Sequence, residues 1–317
     1  MSNSQGTIGR LWAGLHIAWG ARGFWAYRAL AYSPLYLMGV AVITLAGTLT
    51  QVAGSVAVVT LLVLFVGTVL TATTGMGFEV IKLKSLDAEY AMLLAALGRE
   101  YETPTGYAQI LWVRRQVVEF RETGPQPAWL ARRVRMVMRT IHAKVHDVGE
   151  AFPAFEQGRA PECARKLLAR CCHPMASVLT GRALAARGKN AAYAAKENLL
   201  LYSAAWPDAF RLNVTLWLVG HILALGVAGL LGVPLAWLAA AAGSFAATVS
   251  FTLVALWSGF AVKRVLADPV LMATALAAFD EMTRGCSVPA DIESVLLEAD
   301  EAFRELGEQT RAESAVE

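Results

Sequence analysis

The sequence predicts an all-α integral membrane protein with four transmembrane helices paired as two helical hairpins, an N-terminal interfacial helix and a helical cytoplasmic domain. Three observations carry this reading. Residues Pro34 to Phe78 and Leu212 to Val262 contain no Asp, Glu, Lys or Arg, whereas every other part is dense in them. The mean hydropathy of the whole chain is +0.47, and uncharged runs of this length are rare in soluble domains. Strand signals, meaning alternating β-branched and aromatic runs between turns, are nearly absent.

Residues 1–33 read as an amphipathic segment lying in the membrane interface. Trp12, Trp19, Trp25, Tyr27 and Tyr32 alternate with Arg10, Arg22 and Arg28. Aromatic rings favour the headgroup level, and arginines meet anionic lipid there. His16 reads as one more interfacial polar group. No apolar core followed by a small-residue cleavage site appears before Pro34, so a cleavable signal is not expected.

Residues 34–78 form the first hairpin. One pass needs about 20 residues, because a helix rises about 1.5 Å per residue and the hydrocarbon core is about 30 Å thick. The run is 45 residues long, enough for spans at about 34–51 and 55–78 with turn material at Gln51 to Ser55. Backbone groups in the core find no water, so the spans must be helices. Residues 79–211 read as a helical domain. Helices are expected at 86–99, 105–122, 128–148, 161–172, 175–187 and 189–204, broken by prolines and by Gly188. The second hairpin, 212–262, is 51 residues long, with spans at about 212–231 and 234–262 around a turn at Gly232-Val233-Pro234. Residues 263–317 follow as acidic helices and a tail. Asp268-Pro269 reads as a helix start, with Asp as N-cap. Ile292, Val295, Leu296, Ala299, Phe303 and Leu306 form an apolar stripe, and Glu293, Glu298, Asp300, Glu301 and Glu305 cover the other side. The stretch 308–317 has nothing to bury and reads as disordered.

Charge orients the helices. The N-terminal segment has three cations and no acid, residues 79–211 hold 20 Lys+Arg against 13 Asp+Glu, and residues 263–317 hold 5 against 12. All 28 cations therefore lie on one side of an even number of passes, and the Lys/Arg excess marks the cytoplasmic side. The expected location is the plasma (inner) membrane, with both termini cytoplasmic. Cys163, Cys171, Cys172 and Cys286 all fall in cytoplasmic segments, where thiols stay reduced.

The chemistry-bearing groups are few. On the 128–148 helix, Leu130, Val134, Val137, Ile141, Val145 and Val148 form an apolar stripe, while Arg132, Arg135, Arg139, His142 and His146 form a basic one. The basic face suits anionic lipid or an acidic partner, unless it is merely solvated or neutralised within the chain. Within the membrane, His221 is the one strongly titratable group, Asn213 sits at the cytoplasmic edge, and Thr248 belongs to a set of Ser and Thr hydroxyls. Gly243 and Ala247 make a small-xxx-small pair suited to close helix packing. His142, His146, Cys171 and His173 are weak metal candidates, since their spacing fits no usual zinc pattern. No Gly-rich phosphate loop, serine elbow or carboxylate pair stands out, so no cofactor and no catalysis are expected. Nucleic acid is not expected as a partner, given so modest a charge excess. After each hairpin a Gly-Phe pair, two cations, an Asp and two helices recur, which would suit a parallel repeat.

Three function classes follow. The first is a non-catalytic scaffold or assembly subunit whose cytoplasmic domain engages protein partners or anionic lipid, as a homo-oligomer or with other membrane-complex subunits. The second is a homo-oligomeric channel or transporter lined by Thr/Ser and His221. The third is a membrane-shaping protein: the two-hairpin layout with both termini inside resembles that of reticulon-type proteins, although the runs here are long enough to cross.

Overall fold

The computed structural model describes residues 7–53, 84–123, 127–145, 173–186, 190–243 and 245–314. It is helical, with no strand among the described residues. The helices are α1 (Thr7–Gly20), α2 (Arg22–Ala53), α3 (Lys84–Gly98), α4 (Ala108–Thr123), α5 (Pro127–Thr140), α6 (His173–Leu184), α7 (Ala191–Ala204), α8 (Trp206–Ala242), α9 (Phe245–Val262), α10 (Asp268–Thr283), α11 (Ala290–Ala299) and α12 (Glu301–Ser314). A π-helical turn, Ile141–Val145, follows α5, and another, Lys263–Ala267, joins α9 to α10. The expected span 55–78, the expected helix 161–172 and the first half of the suggested repeat up to Leu83 lie outside the described residues.

The chain separates into two compact units. One comprises Met1–Phe24, Ser85–Trp217 and Val270–Glu317; the other comprises Trp25–Lys84 and Leu218–Pro269. In the first unit α7 packs against α5, α6, α11 and α12. Its core holds Leu93, Val134, Leu179, Leu199, Phe279 and Phe303, each fully buried. Amphipathic periodicity explains α5: Leu130, Val134, Val137 and Met138 recur at three and four residues and all face inward. Two helix crossings depend on missing side chains. A Cβ on Gly181 of α6 would strike the backbone of Ala91 in α3, and one on Gly14 of α1 would strike that of Thr274 in α10.

Three stretches are long and apolar enough to cross a membrane: Arg22–Leu49, Trp206–Ala241 and Ala247–Thr283. Their length and composition suggest a membrane protein. Large apolar side chains point outward along them, including Leu37 and Leu45 on α2, Ile222 and Leu230 on α8, and Phe260 on α9. Outward apolar surface on this extent is what lipid rather than water would cover.

Several boundaries differ from those expected, each for a local reason. The N-terminal segment is two helices, since the chain turns at Ala21 and α2 then runs through Pro34 without a stop. Helix α8 runs unbroken through Gly232-Val233-Pro234. The break falls instead at Gly243, whose φ of +62° is a left-handed conformation that side chains disfavour. Asp268 does not cap a helix start: its backbone is helical, and its carboxylate reaches back to Lys263 at 2.9 Å and Arg264 at 3.5 Å. The real cap in this region is Asp300, counted above among the exposed acids. It is buried, its backbone is extended, and its Oδ1 accepts from the Phe303 N–H at 3.1 Å. The chain beyond 307 is helical as far as Ser314 rather than disordered.

Candidate functional site

The basic stripe divides by depth. Arg132 and Arg139 are exposed, and Arg135 is half-buried. Burial, and then the neighbouring Arg139 charge, pushes the Arg135 guanidinium below its usual range, against a weaker upward pull from Asp87. His142 leaves the stripe. It stands one turn beyond the buried Met138, on the edge of the apolar side, and only 4% of it is exposed. His146 lies outside the described residues.

His142 sits at the start of the π-helical turn after α5 and is enclosed by rings. It shares a 2.9 Å hydrogen bond with the Tyr202 hydroxyl through Nε2. Its ring stacks on Tyr202 and meets Trp206 and Phe210 edge-on at 4.7 and 5.0 Å between centroids. Asn213, one turn further along α8, is fully buried as well, and neither of its amide atoms has a hydrogen-bond partner among the described residues. Among the described residues no three His, Cys, Asp or Glu side chains converge as a metal set. Cys171 lies outside those residues, as do Cys163 and Cys172, and His173 opens α6.

The acidic C-terminal helices are engaged elsewhere. Glu305 pairs with Arg133 at 2.5 Å, Glu293 with Lys196 at 2.5 Å, and Asp300 with the Thr140 hydroxyl. On α10, Asp280 meets Arg182 at 3.0 Å and Glu281 meets Arg10 at 3.1 Å. Arg182 lies over the Phe279 ring, and burial lowers its pKa more strongly than Asp280 raises it. The acid therefore ties α5, α6, α7 and α1 into one body, while Arg132 and Arg139 face outward.

In the second unit, His221 is half-buried and meets Phe260 edge-on, with centroids 6.3 Å apart. Thr248 is exposed, and its carbonyl accepts from the Thr252 hydroxyl at 2.8 Å. Ala247 is buried, but Gly243 has open space where a Cβ would stand, so its role is the turn and not packing. The close approaches fall at other glycines: a Cβ on Gly259 would meet the Ala224 carbonyl, and one on Gly39 the Trp257 ring. Trp257 also donates to the Tyr36 carbonyl at 3.2 Å, and the Tyr36 and Ser258 hydroxyls share a 3.0 Å bond. These polar contacts fasten α2 to α9 where apolar surface gives helices no mutual preference.

One joint has no signal in the sequence. Arg28, expected at a lipid surface, is 1% exposed and donates through Nη2 to the Arg264 carbonyl at 3.0 Å. The reason lies in the π-helical turn. There the N–H of residue i+5 bonds to the carbonyl of residue i, as Asp268 does to Lys263. The corresponding donor for Arg264 would be residue 269, which is proline and has no N–H. Arg28 fills the vacancy, with its guanidinium 5.5 Å from the Tyr32 ring centre.

No family model, curated protein or solved structure matches this chain.

Proposed function

We propose that this chain is a non-catalytic, multi-pass inner-membrane scaffold whose charged helical unit stands in the cytoplasm and engages an acidic partner. The carrying observation is the unequal use of charge on α5. The acids of α10, α11 and α12 are drawn to Arg10, Arg133, Arg182 and Lys196, leaving Arg132 and Arg139 on the surface with Arg135 at their side. A basic face that the described acids of α10, α11 and α12 bypass suits an acidic surface on another membrane-complex subunit or a second copy. Four passes and cytoplasmic termini are the reading of the charge distribution, and the three apolar helices support a membrane location. The edge-on contact of His221 with Phe260 supports interhelical packing in preference to a pore lining.

The test is gentle detergent extraction of the full chain, followed by size and co-purification analysis. Replacing Arg132, Arg135 and Arg139 with Gln should release a co-purifying subunit, or reduce the assembly to a monomer. Added salt should do the same to the unchanged chain, because exposed charges are screened within about 10 Å at 0.1 M. A monomer with no partner before and after the change, at low salt, would sink the reading.

A further inference from the structure

Helix α1 turns aromatic surface outward. Trp12 is 73% and Trp19 58% exposed, with Leu15 between them. Gly14, Ala18 and Ala21 take the inward side. Helix α4 repeats the arrangement: Tyr107, just before its start, is 70% exposed, Leu111 44% and Val118 52%. Spacings of four and seven residues put these three on one face, and the exposed Arg114 and Arg115 stand among them. Gln109, Val113 and Val117 point the other way and are buried.

The two helices are fastened together. The Gln109 side-chain amide donates to the Gly20 carbonyl at 2.7 Å. Just past α1, at the start of α2, a Cβ on Gly23 would strike the backbone of Gly106 in the turn before α4, and Gly106 itself has a φ of +63°. Trp19 and Tyr107 are thus each within two residues of the locking contact. Three residues after Trp19 the chain enters α2, which is apolar enough to cross a membrane as far as Leu49.

We infer that the outward faces of α1 and α4 form one surface that lies on the anionic leaflet from which α2 enters the membrane. A leaflet fits better than a protein partner because the same stretch of chain must meet lipid at α2. Rings at the headgroup level and Arg beside them are the composition that such a layer selects. The charge also suits it: Arg22, Arg114 and Arg115 are exposed against the exposed acid Glu119 of α4, whose carboxylate accepts from Gln116, and residues 7–53 contain no acid. The inference rests on the membrane reading above, and the experiment separates the two.

The full chain, with its four cysteines replaced by serine, is reconstituted in vesicles of about three parts phosphatidylcholine to one part phosphatidylglycerol. A single fluorophore is placed by cysteine at Tyr107, Leu111, Val118, Leu45 or Tyr193. Quenching by headgroup-labelled lipid is then compared with quenching by aqueous iodide. The ratio at Tyr107, Leu111 and Val118 should exceed that at Tyr193, an exposed site on α7, by about threefold or more. Replacing Arg22, Arg114 and Arg115 with Gln should bring it down, as should pure phosphatidylcholine. Iodide access at all three sites equal to that at Tyr193 overturns the inference, and so does protection from both quenchers, which would mean a protein cover. Leu45 reports insertion independently. If a bilayer-depth quencher reaches Leu45 while the α4 sites stay in water, only this inference falls. If it does not reach Leu45, the membrane reading falls with it.

Discussion

Arg28, Arg264 and Pro269 show why a charge can be buried without a carboxylate beside it in sequence. Pro269 removes a donor, the π-helical turn leaves the Arg264 carbonyl open, and the guanidinium answers at 3.0 Å. Replacing Arg28 with Met should destabilise the protein by about 2 kcal/mol, the usual cost of a buried group left unsatisfied. In a Pro269→Ala background the new N–H can serve the carbonyl, so the same change should cost measurably less. Thermal unfolding of the four variants in one detergent gives the comparison; equal costs in both backgrounds would refute the joint. Arg182 makes a related case. Burial already disfavours its charge, and Asp280 offsets part of that. Asp280→Asn should therefore lower stability by about 1–2 kcal/mol, allowing for the carboxylate's partial exposure, and an unchanged melting temperature would contradict it. Neither pair was legible in the sequence, because each joins residues far apart in the chain. Asp300 was more nearly so: an Asp followed by a helix-forming stretch is a cap signal, but the apolar stripe from Ile292 to Leu306 spans it without a break.

Among the helices, those with strong periodicity were the most legible. The apolar stripe of α5 and the edges of α3 and α7 fall within a few residues of the expected limits. The turn between α8 and α9 was not legible, because Gly and Pro are tolerated inside apolar helices, where neighbours can satisfy the freed backbone groups. Gly232 and Pro234 therefore carried no stop, and Gly243 did. The same ambiguity hid the packing glycines. Gly259 looks like any other glycine in the sequence, yet it lets the backbones of α8 and α9 meet at Ala224. Gly259→Val should destabilise the unit by about 1–3 kcal/mol through overpacking, whereas Gly226→Val, where open space surrounds the Cβ position, should cost far less. Similar losses at the two sites, read from thermal stability in detergent, would contradict the packing assignment.

For the molecule as a whole, charge is the feature that organises everything else. Most of the charge falls in one unit and most of the uncharged sequence in the other, although each unit is assembled from pieces distant in sequence, Leu212–Trp217 siding with the charged unit and Lys263, Arg264 and Asp268 with the apolar one. The runs of like composition were legible in the sequence, because like composition must share a solvent. The use of the acidic C-terminal helices to pin α5 and α7 was not, since composition shows a balance but not which ion meets which. The direct test is the sidedness of the two units. Single cysteines are placed at Arg132 and Phe245 in a chain lacking its own four, and intact cells are labelled with an impermeant maleimide. Phe245, beside the Gly243 turn, should label from outside. Arg132 should label only after the membrane is opened. Labelling of Arg132 in intact cells, or protection of Phe245 from the outside while it reacts from within, would contradict the placement of all charge on the cytoplasmic side.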